Sequence, residues 1–216
     1  MKNNNQNNKQ FKVNKQKSKK RNKKLMIIVA VAIFIVYAIY TNLEAITLKV
    51  QGDNPAIFEI VDNKAYMNGV VYKNTARDLE AVIANFPDLS TIVFDFVPSS
   101  LNDEATLKMC EIINTAKLNT LVPSNGLVAG NAIDIFLAGA TRTIESGAKI
   151  GVRARTVNNT VVKNLAKNHS NHQIFLDLYK KVEVCEDFYW FTVNAPVNEI
   201  KWLTDEEIKQ YHLATN

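Results

Sequence analysis

The stretch "LMIIVAVAIFIVYAIYTNL", residues 25–43, constrains this chain more than any other feature, because it runs for 19 residues without a charge. Its residues up to Tyr40 are all apolar or aromatic. As an α-helix the stretch would extend roughly 28 Å, close to the ~30 Å thickness of the hydrocarbon layer of a bilayer. The sequence therefore predicts a transmembrane helix over 25–43.

The chain is basic before this apolar stretch and acidic on balance after it. Residues 1–24 contain nine lysines, one arginine and no acidic residue, so they carry +10, whereas the whole chain carries +5. Basic residues that flank a membrane helix stay on the cytoplasmic side. The sequence thus predicts a disordered cytoplasmic tail over 1–24, an anchor in the inner (cytoplasmic) membrane over 25–43, and an exported domain over 45–216, in the periplasm or outside the cell.

Two alternatives concern the same N-terminal region. A cleaved signal peptide also begins with basic and apolar segments, but its apolar region is about 7–15 residues long and ends at a small-residue cleavage site, which is missing here. A basic segment can also bind nucleic acid, but beside a membrane helix it favours contact with anionic lipid. We therefore expect an uncleaved anchor, the lipid bilayer as a partner and no nucleic-acid partner.

The rest of the sequence indicates one α/β domain. "AITLKV" and "AIFEIV" are typical of strands, and "KAYMNGVVY" predicts a hairpin that turns at Asn68-Gly69. From Leu79 to Ala140, short apolar runs alternate with segments of helical period, which is typical of parallel strands covered by helices. The segments after Ser170 are mainly helical. The prediction is a mixed, largely parallel sheet.

Several local signals refine this prediction. Asn102, followed by two acidic residues, is expected to begin a helix. Thr204 and Glu207 have the spacing of a capping box at the start of the last helix. Cys110 falls on the apolar side of its predicted helix, so we expect a buried free thiol rather than half of a disulfide.

The segments "FDFVPSSLNDEA", "VAGNAIDIFLAGATR" and "GAKIGV", with the closing "EDFYWFTVNAPVNEIKWLTDEEIKQYHLAT", occur in one order and spacing. In these segments the chain, from Ala45 to Thr215, resembles Clp protease-like members of the ClpP/crotonase superfamily, especially a membrane-anchored or exported bacterial group. The resemblance implies a spiral of ββα units that forms trimers or stacked rings. It also implies a catalytic serine at the start of a helix, a histidine base, an acid that orients the histidine, and an oxyanion hole of backbone N–H groups.

Both decisive catalytic positions are substituted. The resemblance places the serine at Gly130, which has no side-chain atom that could attack, and the histidine at Arg153, whose guanidinium holds its proton throughout the physiological range. Asp177 is the candidate for the remaining acid. The sequence thus predicts a domain without serine-hydrolase activity that acts in binding or assembly at the cell envelope, with a peptide, a protein or further copies of itself as partners.

Other residues around the predicted cleft keep alternatives open. The backbone N–H groups of Ser99 and Asn131 are candidates for an oxyanion hole, which needs no particular side chain. The side chains of Arg153 and Arg155 are candidates for binding a carboxylate or phosphate. Ser99, Ser100 or Ser124 as a displaced nucleophile would instead make the protein a membrane-anchored serine hydrolase, peptidase or acyl-group enzyme with non-standard catalytic residues.

The remaining polar residues indicate no further chemistry. Asp134 lies one helical turn after Gly130 and could face the predicted cleft, although an aspartate inside a helix is usually exposed or bonded locally. His169 and His172 have the spacing of two metal ligands on one helix face, but no third ligand follows at a matching distance, so we expect surface histidines. We expect neither a metal nor a cofactor.

Overall fold

The computed structural model of the protein describes residues 26–40 and 54–215. These two ranges belong to two separate compact units. In the first unit, residues 26–40 form an α-helix (α1) whose large apolar side chains are exposed, including Ile27, Phe34 and Tyr40. No helix within the described ranges is both long enough and apolar enough to cross a membrane.

Three predictions fall wholly or partly outside the described residues. The basic tail over 1–24 and the strand at "AITLKV" lie entirely outside them, and the predicted span over 25–43 extends beyond both ends of α1. The signal anchor therefore stays a prediction from the sequence.

The second unit alternates strands and helices. Its strands are β1 (Ile57–Val61), β2 (Lys64–Asn68), β3 (Thr91–Val97), β4 (Asn119–Val122), β5 (Leu127–Val128), β6 (Arg142–Ile144), β7 (Lys149–Val152), β8 (Thr156–Val157), β9 (Thr160–Val161) and β10 (Lys201–Trp202). Its α-helices are α2 (Thr75–Asn85), α3 (Asp103–Ala116), α4 (Ile133–Leu137), α5 (Ser170–Lys181), α6 (Glu186–Val193) and α7 (Asp205–Gln210). Short 3₁₀ turns cover Gly130–Ala132 and Val162–Asn164.

One mixed sheet organises this unit, and it forks at β3. The beginning of β3 pairs in parallel with β4, which continues to β6, and the end of β3 pairs in parallel with β5, which continues to β7. Strands β1 and β10 lie antiparallel to their neighbours β2 and β7 at the two ends of the main strand order. The prediction of an α/β fold with a mixed, largely parallel sheet is confirmed.

Glycines lie in the turns that carry the chain from one branch of the fork to the other, from β4 to β5 and from β6 to β7. β4 and β5 are successive segments separated by a turn that contains Gly126, where a Cβ atom would lie 2.6 Å from the carbonyl oxygen of Phe94. β6 and β7 are separated by a turn that contains Gly147, whose φ of +95° is rarely adopted by residues with a side chain. The branch that holds β5 and β7 is the one that leads into the candidate site.

Helices α3 and α4 cover the sheet with buried apolar side chains. Phe94 of β3 and Phe136 of α4 pack edge to face, with ring centroids 5.9 Å apart, and Cys110 of α3 is fully buried as a free thiol, as predicted. Asn102 caps α3 by accepting a hydrogen bond from the backbone N–H of Ala105 at 2.8 Å. The capping box at the start of α7 is also present. These local predictions are therefore confirmed.

The hairpin was predicted at the wrong turn. The chain reverses between β1 and β2 at Asp62-Asn63, with Asp62 at a φ of +55°, and not at Asn68-Gly69. Gly69 is needed for a different reason: a Cβ atom there would lie 2.7 Å from the carbonyl oxygens of Asn54 and Pro55. Its glycine signals a close approach of two backbone segments, which a local turn pattern does not reveal.

Candidate functional site

A tight strand-to-helix turn forms the centre of the candidate site. After β5, the N–H of Ala129 donates to the carbonyl of Val97 at 3.0 Å, and Gly130 then turns the chain into a 3₁₀ turn and α4 with a φ of +57°. In α/β-hydrolases the nucleophilic serine occupies a sharp, strained turn of this kind. Here a turn of this kind is present, and the residue at it is a glycine.

The space beside Gly130 is open to a side chain. A Cβ atom at this position would have its nearest neighbour, the Oγ atom of Ser99, at 3.4 Å, which is ordinary contact. The obstacle to another residue is therefore the left-handed backbone conformation and not the packing around it.

The structure brings three of the predicted site residues together. Arg153 follows directly after β7, and its Nη2 atom donates a hydrogen bond to Ser99 Oγ at 3.3 Å. The Ser99 hydroxyl in turn donates to the carbonyl oxygen of Ser100 at 3.3 Å. Arg153, Ser99 and Gly130 thus meet where the sequence resemblance places the base, the oxyanion hole and the nucleophile.

A cleft of about 590 Å³ opens beside this point; it is lined by Arg153 and by Ser100 and Asn131, the residues that follow Ser99 and Gly130. Its walls come from the turn after β3, from Asn131 at the start of the 3₁₀ turn, and from the segment 153–157 after β7. Among the described backbone groups, no acceptor pairs with the N–H of Ser99 or of Asn131. These two donors therefore keep the hydrogen-bonding capacity that an oxyanion or a ligand oxygen requires.

Arg155 lies in the same wall, but its charge is already bound inside the protein. Its side chain is 7% exposed, its Nη2 atom forms a close ion pair with Oδ2 of Asp134, and its Nε atom lies 3.4 Å from Oδ1 of Asp103. The guanidinium carbon lies 3.5 Å from the ring centre of Phe175. Between two carboxylates and an aromatic ring, Arg155 is a structural cation, which leaves Arg153 as the better candidate for binding an anion.

Asp134 does not have the environment that the sequence indicated. It is 1% exposed, and its Oδ1 atom accepts a hydrogen bond from the hydroxyl of Tyr179 at 2.9 Å in addition to its ion pair with Arg155. Burial raises the pKa of Asp134, whereas Arg155 and Tyr179 act in the opposite direction. The expectation of an exposed or locally bonded aspartate was wrong, because the partners lie 21 and 45 residues away.

The buried network continues into neighbouring groups. The Cys110 thiol donates to the carbonyl oxygen of Asp134 at 3.3 Å, and burial raises its pKa well above the ordinary value. Burial likewise raises the pKa of Tyr179 well above its ordinary value. These groups therefore stay protonated at neutral pH and support the ion pair behind the cleft.

Asp177 is not brought to this site. It is exposed on α5 and accepts a hydrogen bond from the side chain of Gln173 at 2.8 Å. It is not among the residues that line the cleft at Gly130. Ser124 also lies outside that lining, and its backbone N–H donates to Glu145 Oε2 at 2.9 Å.

The two histidines have separate structural roles. His169 caps α5 by accepting a hydrogen bond from the N–H of Asn171 at 3.2 Å. His172 is 1% exposed, contrary to the surface position that we expected, and its Nδ1 atom lies 2.7 Å from the hydroxyl of Tyr189. Within the described residues, no group of three histidine, cysteine or acidic side chains is placed to hold a metal ion.

Comparison with known proteins supports the fold and does not assign the chain to a family. No protein-family model matches the sequence, and no curated protein matches it either. The structure is similar to that of a Bacillus subtilis enzyme described as a polyketide-biosynthesis enoyl-CoA hydratase, with a TM-score of 0.51 and 9% identity over 74% of this chain and 70% of that chain. The membrane-bound stomatin-specific protease 1510-N, in mutant form, gives a TM-score of 0.48 and 16% identity over 72% of this chain and 80% of that one. The domain therefore has a ClpP/crotonase-like fold.

Proposed function

We propose that this chain is a single-pass membrane protein whose ClpP/crotonase-like domain lacks serine-hydrolase activity and acts by binding a peptide or protein partner in the cleft at Gly130. The observation that carries the proposal is the hydrogen bond from Arg153 to Ser99 beside the empty nucleophile position. In this proposal, the serine and histidine that the resemblance implies at positions 130 and 153 are replaced by a glycine and by a fixed positive charge.

The chemistry of these groups favours binding over turnover. Acyl transfer by a hydroxyl needs an oxygen that attacks and a base that accepts its proton. Gly130 supplies no oxygen, and the guanidinium of Arg153 has donors but no acceptor. The Ser99 hydroxyl receives its hydrogen bond from this cation and donates its own proton to a carbonyl oxygen, so no base activates it.

The membrane part of the proposal rests on the apolar run over 25–43 and on the exposed apolar side chains of residues 26–40. A helix with apolar side chains on all sides needs an apolar surrounding, such as lipid or other protein. The basic block over 1–24 favours a cytoplasmic N-terminus and a domain on the outer side of the inner membrane. Assembly into homo-oligomers is part of the same proposal.

A fluorophosphonate probe tests the loss of hydrolase activity. We expect the full-length chain in detergent to remain unlabelled, because no activated hydroxyl is present. The double variant Gly130→Ser with Arg153→His restores both predicted catalytic positions, and its labelling would show that the probe reaches the cleft.

The alternative acyl-group enzyme makes the opposite prediction. It is favoured by the position of the Ser99 hydroxyl beside Gly130 and by the two backbone N–H groups without acceptors among the described backbone groups. Labelling of the wild-type chain that disappears in Ser99→Ala or in Ser124→Ala would reject the non-catalytic proposal. Cleavage of esters or peptides by the wild-type chain, abolished by the same change, would reject it as well.

A further inference from the structure

Arg153 is a half-buried cation to which the described structure gives no acidic partner. The ion pairs between described residues do not include it. Its one side-chain hydrogen bond, to Ser99 Oγ, uses a single donor of the five that a guanidinium offers. A partly desolvated charge without a counter-ion costs free energy, and a ligand carboxylate would offset that cost.

The same cleft also has an acidic wall. Asp103 and Glu104, in the first turn of α3, both line it. Asp103 lies 3.4 Å from Arg155, whose closer partner is Asp134. Glu104 is exposed, and no hydrogen bond or ion pair joins it to another described side chain. The cleft therefore presents one unpaired cation and, on another wall, unpaired negative charge.

We infer that this cleft binds the free C-terminus of a peptide that carries a lysine or arginine close to its end, an inference that rests on the binding function proposed above. The peptide carboxylate pairs with Arg153, whose planar fork matches a carboxylate. The basic side chain of the peptide pairs with Glu104. A phosphate group, with its charge of about −1.5 to −2, would be repelled by the acidic wall more strongly than a single carboxylate.

The remaining lining suits a peptide main chain. Asn131 and Asn198 line the cleft, and an asparagine amide both donates and accepts hydrogen bonds. The N–H of Asn131, which has no acceptor among the described backbone groups, adds a further donor. The volume of about 590 Å³ suits a few peptide residues and is too small for a folded partner to enter.

Fluorescence anisotropy on the full-length chain in detergent micelles tests this inference. The probe is a fluorescein-labelled peptide of sequence Ala-Ala-Ala-Lys-Ala, compared with its C-terminal amide and with a norleucine peptide in place of the lysine. We expect the free acid to bind at least tenfold more tightly than the amide, and the lysine peptide several-fold more tightly than the norleucine peptide.

Two variants separate the two contacts. Arg153→Gln should abolish the preference for acid over amide, whereas Glu104→Gln should abolish the preference for lysine over norleucine. Arg77→Gln and Glu111→Gln are matched controls, because both residues are exposed and lie outside the cleft, and they should leave both preferences unchanged. If Arg153→Gln does not fold, Arg153→Lys keeps the charge without the fork and should reduce the preference for the acid.

The outcomes distinguish this inference from the proposed function. Equal dissociation constants for acid and amide, or no binding up to about 5 mM peptide, would overturn the inference. Inorganic phosphate that displaces the peptide at lower concentration than acetate would also overturn it, in favour of a phosphate site. Cleavage of the peptide, detected by mass spectrometry, would reject the non-catalytic function. Equal binding of the acid and the amide without cleavage would reject only the inference that the peptide C-terminus is the ligand.

Discussion

Replacing Arg155 by methionine removes the cation behind the cleft while keeping much of its apolar volume. The side chains of Arg155 and Asp134 are only 7% and 2% exposed, so their pairing is not weakened by solvent screening. The variant leaves the Asp134 carboxylate buried, with the Tyr179 hydroxyl as its remaining side-chain hydrogen-bond partner. Loss of one partner of a buried pair costs about 3–5 kcal/mol, and we expect the free energy of unfolding to fall by that amount at neutral pH.

The loss of stability should depend on pH. Burial raises the pKa of Asp134 above its ordinary value of 3.8, and Arg155 opposes that rise, so its removal raises the pKa further. A carboxyl group whose pKa is raised in the folded state contributes stability that is full below the ordinary value and is lost as the pH rises through the folded value. The deficit of Arg155→Met should therefore be largest at neutral pH and shrink toward pH 4.

Urea unfolding of the full-length chain in mild detergent measures this effect. Both tryptophans of the sequence, Trp190 and Trp202, lie in the second unit, so their fluorescence reports on that unit alone. Lys108→Met is the matched control, since the lysine is about half exposed and pairs with Glu111 at 3.1 Å; we expect it to cost under about 1 kcal/mol. A similarly small or pH-independent deficit in Arg155→Met would refute the reasoning.

Three further predictions concern single side chains of the second unit. A thiol reagent should modify only the exposed Cys185 in the native chain and both cysteines in urea, because Cys110 is buried and burial raises its pKa. The variant Cys185→Ser should therefore have no reactive thiol in the native chain. Burial lowers the pKa of His172, so stability should fall as the pH decreases below about 6.5, and unfolding of His172→Gln at pH 7.5 and 5.5 should lack this dependence. Gly130→Ala should cost about 1–2 kcal/mol from its left-handed backbone, and Gly126→Ala should cost more in the same unfolding assay, because its Cβ atom would lie 2.5 Å from a proline ring.

Local patterns in the sequence predicted most of the helices and strands. Strand β1 and the helix that begins after Asn102 are where periodicity and capping residues place them, because a few neighbouring residues determine each one. The proximity of Gly130, Arg153 and Ser99 was also predicted, although by resemblance and not by periodicity. These are features whose causes lie within one segment or one motif.

Features that depend on contacts between distant segments were missed. The role of Gly69 depends on the backbone of Asn54 and Pro55, and the burial of Asp134 depends on Arg155 and Tyr179. A sequence pattern contains no information about which residues will approach a given atom across the sheet. The one available signal for the ion pair was the presence of a charged residue in an otherwise apolar helix, which is rarely left without a partner when buried.

Arg142 shows the same limit. It is 6% exposed at the start of β6, and its Nε atom donates to the carbonyl of Leu213 at 2.9 Å while Nη1 donates to the carbonyl of Val182 at 3.2 Å. It thereby joins the end of the chain to the sheet across 71 residues. Since its acceptors are backbone oxygens, no acidic residue in the sequence marks it as buried.

The two arginines near the cleft illustrate how position alone decides the use of a charge. Arg155 follows Arg153 by two residues, so the two arginines have nearly the same neighbours in the sequence. Arg155 pairs with Asp134 and Asp103 and stabilises the fold. The side chain of Arg153, by contrast, forms a hydrogen bond only with the hydroxyl of Ser99. A group that never releases its proton cannot alternate between base and acid, as a hydrolase requires, but it can hold an anion at equilibrium. An arginine at position 153 is therefore consistent with the binding function that we propose.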